Sequence, residues 1–201
     1  GGAHVFPSLC HGCGACVRLC PEGALREETR TLGEVVVTHR DGIELVTGRL
    51  DVGEALAVPL VRAVRSRMDR SATVIVDAPP GTSCPVMAAV RGCDVALLVT
   101  EPTPFGLHDL TLAVTAVRAL GVPFGVVVNR AGCGDQRVHD YCAAQGIPLL
   151  LEVPHERAIA EAYARGESLV AARPELRSSF GVLLGRLRVM AAGGPGVAEA
   201  R

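Results

Sequence analysis

Lysine is absent from this sequence. All 20 positively charged side chains among its 201 residues are arginines. Chemistry that depends on a lysine ammonium group therefore cannot be supplied by these residues.

Strong charge of one sign and long apolar runs are also missing. Twenty basic residues nearly balance 21 acidic ones, and this net charge of −1 gives no electrostatic basis for binding nucleic acid. No apolar run approaches the ~20 residues of a membrane span, so we expect no membrane insertion. No basic segment followed by an apolar one is present, and we expect a cytoplasmic protein. A length of 201 residues is enough for one α/β domain with a substantial core and a small appendage. A hydrophobic content of 49% indicates a well-buried globular protein rather than a disordered one.

Four of the eight cysteines lie together in the segment "LCHGCGACVRLCPEGAL". Cys10, Cys13, Cys16 and Cys20 are spaced C-x2-C-x2-C-x3-C and are followed by Pro21. In this bacterial ferredoxin pattern, the first three thiolates hold one iron–sulfur cluster and the fourth serves another. A zinc site usually has paired C-x2-C elements separated by a longer gap, so the spacing favours iron. We predict iron–sulfur binding over residues 1–28, a half ferredoxin-like segment.

The other four cysteines are scattered along the chain: Cys84, Cys93, Cys133 and Cys142. Because no secretory pattern is visible, a disulfide framework is not expected. We predict that these cysteines are small buried hydrophobic side chains. A redox role for Cys84 is the alternative, because it follows the "PPGTS" segment.

The hydrophobic pattern beyond residue 28 predicts an α/β fold. Residues 29–54 contain two β-branched runs around Asp41-Gly42, which predict a hairpin and a connection. In residues 55–190, a helix over Ala55–Asp69 precedes apolar strands that alternate with helices. This alternation predicts a mostly parallel sheet with helices on both faces. The strands end at Asp77, Thr100, Asn129 and Val153, and the helices are Pro85–Arg91, Leu107–Leu120, Gln136–Gln145, Glu156–Arg165 and Pro174–Met190. Residues 191–201 are predicted to be a disordered tail.

Polar residues follow the predicted strand ends, where such sheets bind their ligands. We expect the four loops after these strands to open onto one crevice. The Asp77 carboxylate suits the water shell of Mg²⁺, and the Gly81 amide allows close approach of a γ-phosphate. The Asn129 side chain can donate to and accept from an adenine edge. A proline-stiffened turn and a turn-forming asparagine are the simpler alternatives.

Two histidine–acid pairs lie near loop ends: His108 with Asp109, and His155 with Glu156. A catalytic pair is one interpretation of each. We favour carboxylates at helix N-termini and solvated loop histidines.

Four segments together carry a family resemblance: "VIVDAPPGTSCPV", "ALLVTEPTPFGLHDL", "PFGVVVNRAG" and "IAEAYARGESLV". The chain resembles the MinD/ParA/Mrp-type P-loop ATPases over about residues 4–185. More narrowly, it is similar to the branch with a two-cluster 4Fe-4S ferredoxin domain inserted in the ATPase fold.

This resemblance implies ATP with Mg²⁺ as cofactors and Asp77 and Gly81 as catalytic residues. It also implies two 4Fe-4S clusters in the intact protein, one held by Cys10, Cys13 and Cys16, with Cys20 donating to the other. Further nucleotide contacts are implied for Pro80, Thr82, Asn129, Arg130 and Pro154.

The chain departs from the family pattern at the phosphate loop. The G-K-[ST] element is missing, together with both lysines of the superfamily and a first cysteine motif. We therefore expect an N-terminally truncated, incomplete P-loop fold that lacks a central strand next to "TVIVD" and "ALLVT". We also expect no ATP hydrolysis by this chain alone.

Two functions are consistent with these features. The first is an iron–sulfur ATPase whose ATP binding or hydrolysis is coupled to electron transfer or cluster delivery. The second is a non-enzymatic iron–sulfur carrier or electron-transfer protein. Cys133 and Cys142 form no C-x-x-C pair, which disfavours a transferable bridging cluster. We expect a redox partner or an iron–sulfur acceptor protein, and a homodimer when intact.

Overall fold

The computed structural model describes residues 4–6 and 9–193. The chain divides into two compact units, residues 1–77 and residues 78–201. No helix among the described residues is both long and apolar enough to cross a membrane.

The first unit is built on a β-hairpin. Its elements are α1 (Ala15–Leu19), β1 (Gly33–Arg40), β2 (Ile43–Leu50) and α2 (Ala57–Arg65). The strands are antiparallel and are joined by Asp41 and Gly42, whose φ angles of 51° and 77° are both positive. Two left-handed residues match the right-handed twist of a hairpin, so the predicted Asp-Gly turn is confirmed.

Helix α2 packs on the hairpin at Gly48. A Cβ atom at this position would lie 2.9 Å from Val64 Cγ2 and 3.0 Å from Leu60 Cγ. Glycine therefore allows the helix to approach the strand closely. Glu54 anchors the start of the helix, because its carboxylate accepts a hydrogen bond from Leu56 N at 2.9 Å and is paired with Arg30.

The segment 73–77 is not a strand, and the prediction of a strand ending at Asp77 is wrong. Residues 73–79 have neither helical nor strand structure. Val74 is 40% exposed and Ile75 is 88% exposed. An apolar run becomes a strand only when a neighbouring strand accepts its backbone hydrogen bonds, and no such neighbour is present among the described residues.

The second unit contains a parallel three-stranded sheet. Its strands are β3 (Ala96–Thr100), β4 (Phe124–Ala131) and β5 (Leu149–Pro154), in the order β3-β4-β5. Val99 pairs with Val127, and Val126 pairs with Leu149. The helices are α3 (Cys84–Val90), α4 (Pro104–Leu120), α5 (Arg137–Ala144), α6 (Arg157–Ala164), α7 (Leu169–Ala172) and α8 (Leu176–Gly193).

Helices cover both faces of this sheet. On one face, side chains of α4 and α5 form a core with β4: Leu110, Val114, Val138, Cys142, Val126 and Val128. On the other face, Val127 and Leu150 pack with Leu176 and Leu183 of α8. The alternating β4 side chains thus serve two cores, as expected for a strand buried on both faces. The predicted α/β class, with a largely parallel covered sheet, is confirmed.

The helix ends agree with the predicted segments to within a few residues, apart from α2, which is shorter than predicted. The short helices α1 and α7 were not predicted. Residues 191–193 of the predicted tail form the end of α8, and residues 194–201 lie outside the described part of the chain. The domain boundaries at residues 28, 54 and 190 stay a prediction.

Candidate iron–sulfur segment and sheet-edge site

Two glycines shape the segment that carries the four neighbouring cysteines. Gly12 and Gly14 have φ angles of 62° and 68°, in the left-handed region that favours glycine. Gly14 precedes α1, which contains Cys16. Cys10, Cys13 and Cys16 are exposed, and Cys20 is half-buried. The segment therefore presents its thiols at the surface of the first unit.

Backbone amides in this segment point to sulfur atoms. Gly12 N donates to Cys10 Sγ at 3.4 Å. Backbone N–H groups, that of Ala24 foremost, lower the pKa of the Cys20 thiol, and burial opposes this effect only in part. A thiolate is the form that binds a metal, so these amides favour the ligating state.

The donor set suits an iron–sulfur cluster. It consists of thiols on left-handed turns with N–H groups available to sulfur, and hydrogen bonds to sulfur are a feature of such sites. No three Cys, His, Asp or Glu side chains within the described ranges are grouped closely enough to form a metal site. The assignment of Cys10, Cys13, Cys16 and Cys20 as ligands therefore stays a prediction that rests on residue type and spacing.

Three strand-end loops of the second unit meet at the carboxyl edge of the sheet. Arg130, at the end of β4, places its Nη1 3.3 Å from a Glu101 carboxylate oxygen after β3. Its Nε donates to His155 Nδ1, after β5, at 3.4 Å. The backbone joins the same loops, because His155 N donates to Ala131 O at 3.0 Å. Arg130, Glu101 and His155, with the three loops that carry them, are called the rim below.

Two glycines are required for the backbone of the rim. A Cβ atom at Gly134 would lie 1.5 Å from Pro102 O, and one at Gly106 would lie 2.2 Å from Glu101 O. No side chain fits at such distances. Asp135 N also donates to Pro102 O at 3.1 Å, so the loop after β4 lies directly against the loop after β3.

The predicted nucleotide residues fall into two groups. Asn129, Arg130 and Pro154 lie at the carboxyl ends of β4 and β5, where Ala131 pairs with Pro154. Asp77 ends the first unit, and Pro80, Gly81 and Thr82 are exposed residues at the start of the second unit. Gly81 has a φ of 90°, which agrees with a backbone position that favours glycine. The structure brings together three of the four predicted loops.

The scattered cysteines differ in their surroundings. Cys142 is 1% exposed within the core formed by α4, α5 and β4, and burial raises the pKa of its thiol. Cys93 is half-buried, whereas Cys84 and Cys133 are exposed. Burial was correctly predicted for Cys142 and wrongly for Cys84 and Cys133, because these two lie in loops or at a helix start rather than on an inward-facing helix position.

The histidine–acid pairs form no catalytic arrangement. His108 and Asp109 are both exposed. Glu156 is paired with Arg173 rather than with His155. An unpredicted pair joins α5 to β5, with His139 Nε2 2.7 Å from Glu152 Oε1. Sequence spacing gave no signal for this pair, because the two residues are 13 positions apart on different elements.

The roles of Glu101, Gly106 and Gly134 in the rim were also not predicted. The run "AGCGD" after β4 carried a usable signal, because closely spaced glycines after a strand indicate close backbone approach. The partner of that approach, Pro102, is distant in sequence and could not be identified beforehand.

Comparison with protein families identifies the kind of domain to which the cysteine segment is similar. Residues 3–26 match the 4Fe-4S binding domain family. The chain as a whole resembles solved structures of ATPases. The chain superposes on the cell division ATPase MinD of Pyrococcus furiosus with a TM-score of 0.56 and 24% identity, covering 79% of this chain and 67% of that one. The chain joins a 4Fe-4S binding domain to a MinD-like fold.

A second solved structure agrees with this fold. The septum site-determining protein MinD of Pyrococcus horikoshii, complexed with Mg-ADP, gives a TM-score of 0.55 at 20% identity. It covers 79% of this chain and 70% of that one. The resemblance inferred from the sequence is thus confirmed at the level of the iron–sulfur domain and the ATPase fold.

Relatives of known sequence extend the comparison. An uncharacterized protein of Methanocaldococcus jannaschii is 29% identical over 164 residues, which cover 81% of this chain and 56% of that protein. An iron-sulfur cluster carrier protein of Aquifex aeolicus is 27% identical over 117 residues, covering 51% of this chain and 32% of that protein. The chain thus spans about half, or less, of the length of these relatives.

Proposed function

We propose that this chain is part of an iron–sulfur ATPase of the MinD/ParA/Mrp type, in which ATP binding or hydrolysis is coupled to electron transfer or cluster delivery. The observation that carries the proposal is the presence of a four-cysteine 4Fe-4S segment and a MinD-like sheet in one chain. A 4Fe-4S cluster, once bound, supplies one-electron redox chemistry.

The cluster would be held by the thiolates of the first segment. Cys10, Cys13 and Cys16 would hold one 4Fe-4S cluster, and Cys20 would donate to a second. The pKa of the Cys20 thiol, which backbone amides lower, and the Gly12 amide directed at Cys10 support this assignment, because both favour a ligand sulfur carrying negative charge.

The nucleotide would lie at the carboxyl edge of the sheet. Asn129 would contact adenine, with Arg130 and Pro154 beside it. Asp77 would hold the water shell of Mg²⁺, and Gly81, with Pro80 and Thr82, would approach the γ-phosphate. The meeting of three strand-end loops at this edge supports the proposal, because parallel sheets bind ligands there. Mg-ADP in the Pyrococcus horikoshii relative gives further support.

Reconstitution tests the cluster assignment. The chain is incubated anaerobically with iron, sulfide and a thiol reductant, and bound iron and acid-labile sulfide are then counted. We expect the visible absorption of a 4Fe-4S cluster in the parent chain and a large loss in Cys16→Ser. Cys133→Ser is the matched control and should load like the parent, since Cys133 is an exposed thiol of the other unit. Equal loading of all three chains would contradict the assignment.

ATP hydrolysis is the enzymatic half of the proposal, and in P-loop enzymes it depends on a lysine that contacts the β- and γ-phosphates. Because the chain has no lysine, we expect no Mg²⁺-dependent release of phosphate from ATP by this chain alone. Phosphate release that is abolished by a chelator and by Asp77→Asn would contradict this expectation.

The DNA preceding the Gly1 codon provides a direct test. We expect an in-frame glycine-rich loop with its lysines, followed by another C-x2-C-x2-C-x3-C motif. A stop codon followed by a start close to Gly1 would contradict the ATPase proposal. In a protein that carries such a loop, Asn129→Ala should weaken nucleotide binding without changing iron content.

A non-enzymatic iron–sulfur carrier is the second candidate. The similarity to the iron-sulfur cluster carrier protein of Aquifex aeolicus favours it. Incubating the loaded chain with an apo-ferredoxin, with and without Mg-ATP, separates the two functions. Cluster transfer that is unaffected by nucleotide supports the carrier, whereas transfer or reduction that responds to nucleotide supports the ATPase.

The proposed partners follow from the same two functions. A redox partner or an iron–sulfur acceptor protein would dock at the exposed cysteine segment. We also propose a homodimer for the intact protein, to be checked by light scattering with and without Mg-ATP.

A further inference from the structure

The side chain of Glu27 lies against the loop that carries the first cysteines. A Cβ atom built at Gly14 would be 2.9 Å from Glu27 Oε1 and 3.6 Å from its Cδ. Gly14 stands between Cys13 and Cys16 and has a left-handed φ of 68°. The missing side chain at Gly14 thus leaves room for a carboxylate beside the cysteine loop.

Glu27 and its neighbour Glu28 differ in their ion pairing. Within the described ranges, no ion pair involves Glu27, whereas the adjacent Glu28 is paired with Arg26 at 2.7 Å. Among the described residues, the Glu27 carboxylate therefore lies next to the cysteine loop without an ion-pair partner, whereas the Glu28 carboxylate is paired with Arg26. This difference makes Glu28 a matched control for Glu27.

We infer that the Glu27 carboxylate, through its negative charge, lowers the reduction potential of the 4Fe-4S cluster bound by this loop. The inference rests on the proposed function, because it requires that the cysteine loop bind the cluster. Reduction adds one electron to a group already surrounded by thiolates, and a negatively charged carboxylate nearby raises the energy of the reduced form more than that of the oxidised form. The result is a cluster that is harder to reduce.

The geometry distinguishes Glu27 from its neighbour Glu28. Electrostatic energy falls with distance, and solvent and salt screen it further, so only a charge close to the loop has a measurable effect. Glu27 has its carboxylate within 4 Å of the Cβ position of Gly14 in that loop. Glu28, one residue further on, points its carboxylate to Arg26 instead.

Potentiometric titration of the reconstituted chain tests the inference. The parent, Glu27→Gln and Glu28→Gln chains are loaded anaerobically and titrated with dithionite, which supplies the electron, in the presence of redox mediators. Visible absorption and electron paramagnetic resonance report the reduced fraction. We expect a more positive potential for Glu27→Gln than for the parent, and a clearly smaller shift for the matched control Glu28→Gln.

Two further measurements separate charge from shape. Glu27→Asp keeps the negative charge and should retain a potential close to that of the parent. The shift caused by Glu27→Gln should also shrink as the salt concentration rises.

The outcomes distinguish the inference from the proposal on which it depends. A parent chain that binds no iron and sulfide overturns both. A parent chain that loads fully, with identical potentials in the parent and Glu27→Gln, overturns the role of Glu27 and leaves the iron–sulfur function intact. Equal shifts in Glu27→Gln and Glu28→Gln also overturn it, because a general change of net charge would then explain the effect.

Discussion

The Arg130 guanidinium lies 3.3 Å from the Glu101 carboxylate, and Arg130 itself has a left-handed backbone with a φ of 54°. The ion pair connects the ends of β4 and β3, the two strands that hydrogen-bond along Ala96–Thr100. Both side chains are partly exposed, at 46% and 39%, so the ion pair alone stabilises the fold by at most about 1 kcal/mol.

A comparison of glycine and alanine at position 130 tests the backbone strain. Both variants lose the ion pair with Glu101, but only alanine keeps a Cβ atom in the left-handed region. We expect Arg130→Gly to be more stable than Arg130→Ala by about 1 kcal/mol. Urea unfolding, followed by circular dichroism, gives the two free energies. An alanine variant that equals the glycine variant would mean that the loop is not held in this conformation.

The close approach at Gly106 predicts a cost for any side chain there. A Cβ atom would meet Glu101 O at 2.2 Å, so Gly106→Ala should destabilise the second unit by about 1–3 kcal/mol. Gly181→Ala in α8 is the matched control, because no atom lies within 4 Å of its Cβ position. The control should be stabilised by up to about 1 kcal/mol, because alanine is the better helix former. Thermal unfolding of the two variants measures this difference, and a loss of stability in both would contradict it.

The buried thiol of Cys142 predicts a strong preference for an apolar side chain. Cys142→Ser places a hydroxyl group in an apolar core and should cost about 1–3 kcal/mol. The corresponding change at exposed Cys133 should alter stability by less than about 0.5 kcal/mol.

Because burial also raises the pKa of Cys142, its thiol should resist alkylation in the folded chain and react after denaturation. Mass spectrometry of the alkylated peptides checks both states.

Glu54 should make the first unit sensitive to acid. Its pKa is lowered, mainly by the Leu56 amide and further by Arg30. A lowered pKa in the folded state means that Glu54 stabilises the fold above its unfolded value of about 4.3, and that this contribution is lost as the pH falls through the folded value. We expect the Glu54 carboxyl, observed by NMR, to titrate below about pH 4.3.

Substitutions of Arg30 and of Glu54 itself provide the controls. Arg30→Gln should raise the titration midpoint of the Glu54 carboxyl only part of the way to its ordinary value, because the hydrogen bond from the Leu56 amide remains. Glu54→Gln should remove the acid dependence of hydrogen exchange in β1 and β2, after correction for intrinsic exchange rates. A Glu54 titration midpoint at the ordinary glutamate value in the parent chain would contradict the hydrogen bond from Leu56 N to the Glu54 carboxylate.

Local patterns were sufficient where the physical cause is local. The hairpin followed from Asp41-Gly42, because a two-residue turn needs two left-handed residues. The strands of the second unit followed from unbroken apolar runs, since these indicate burial on both faces. The same reasoning failed for residues 73–77, because strand formation depends on a hydrogen-bonding neighbour that hydrophobicity does not specify.

The sequence by itself indicated the type of chemistry: the C-x2-C-x2-C-x3-C spacing is that of the bacterial ferredoxin pattern, and residues 3–26 match the 4Fe-4S binding domain family. It also determined the parallel, two-sided sheet. Only the tertiary structure decided that Arg130 meets Glu101 and His155, that Glu27 lies against Gly14, and that Cys142 is buried while Cys133 is exposed. These relationships join residues from different elements, and their distances depend on how strands pair and helices pack rather than on spacing along the chain.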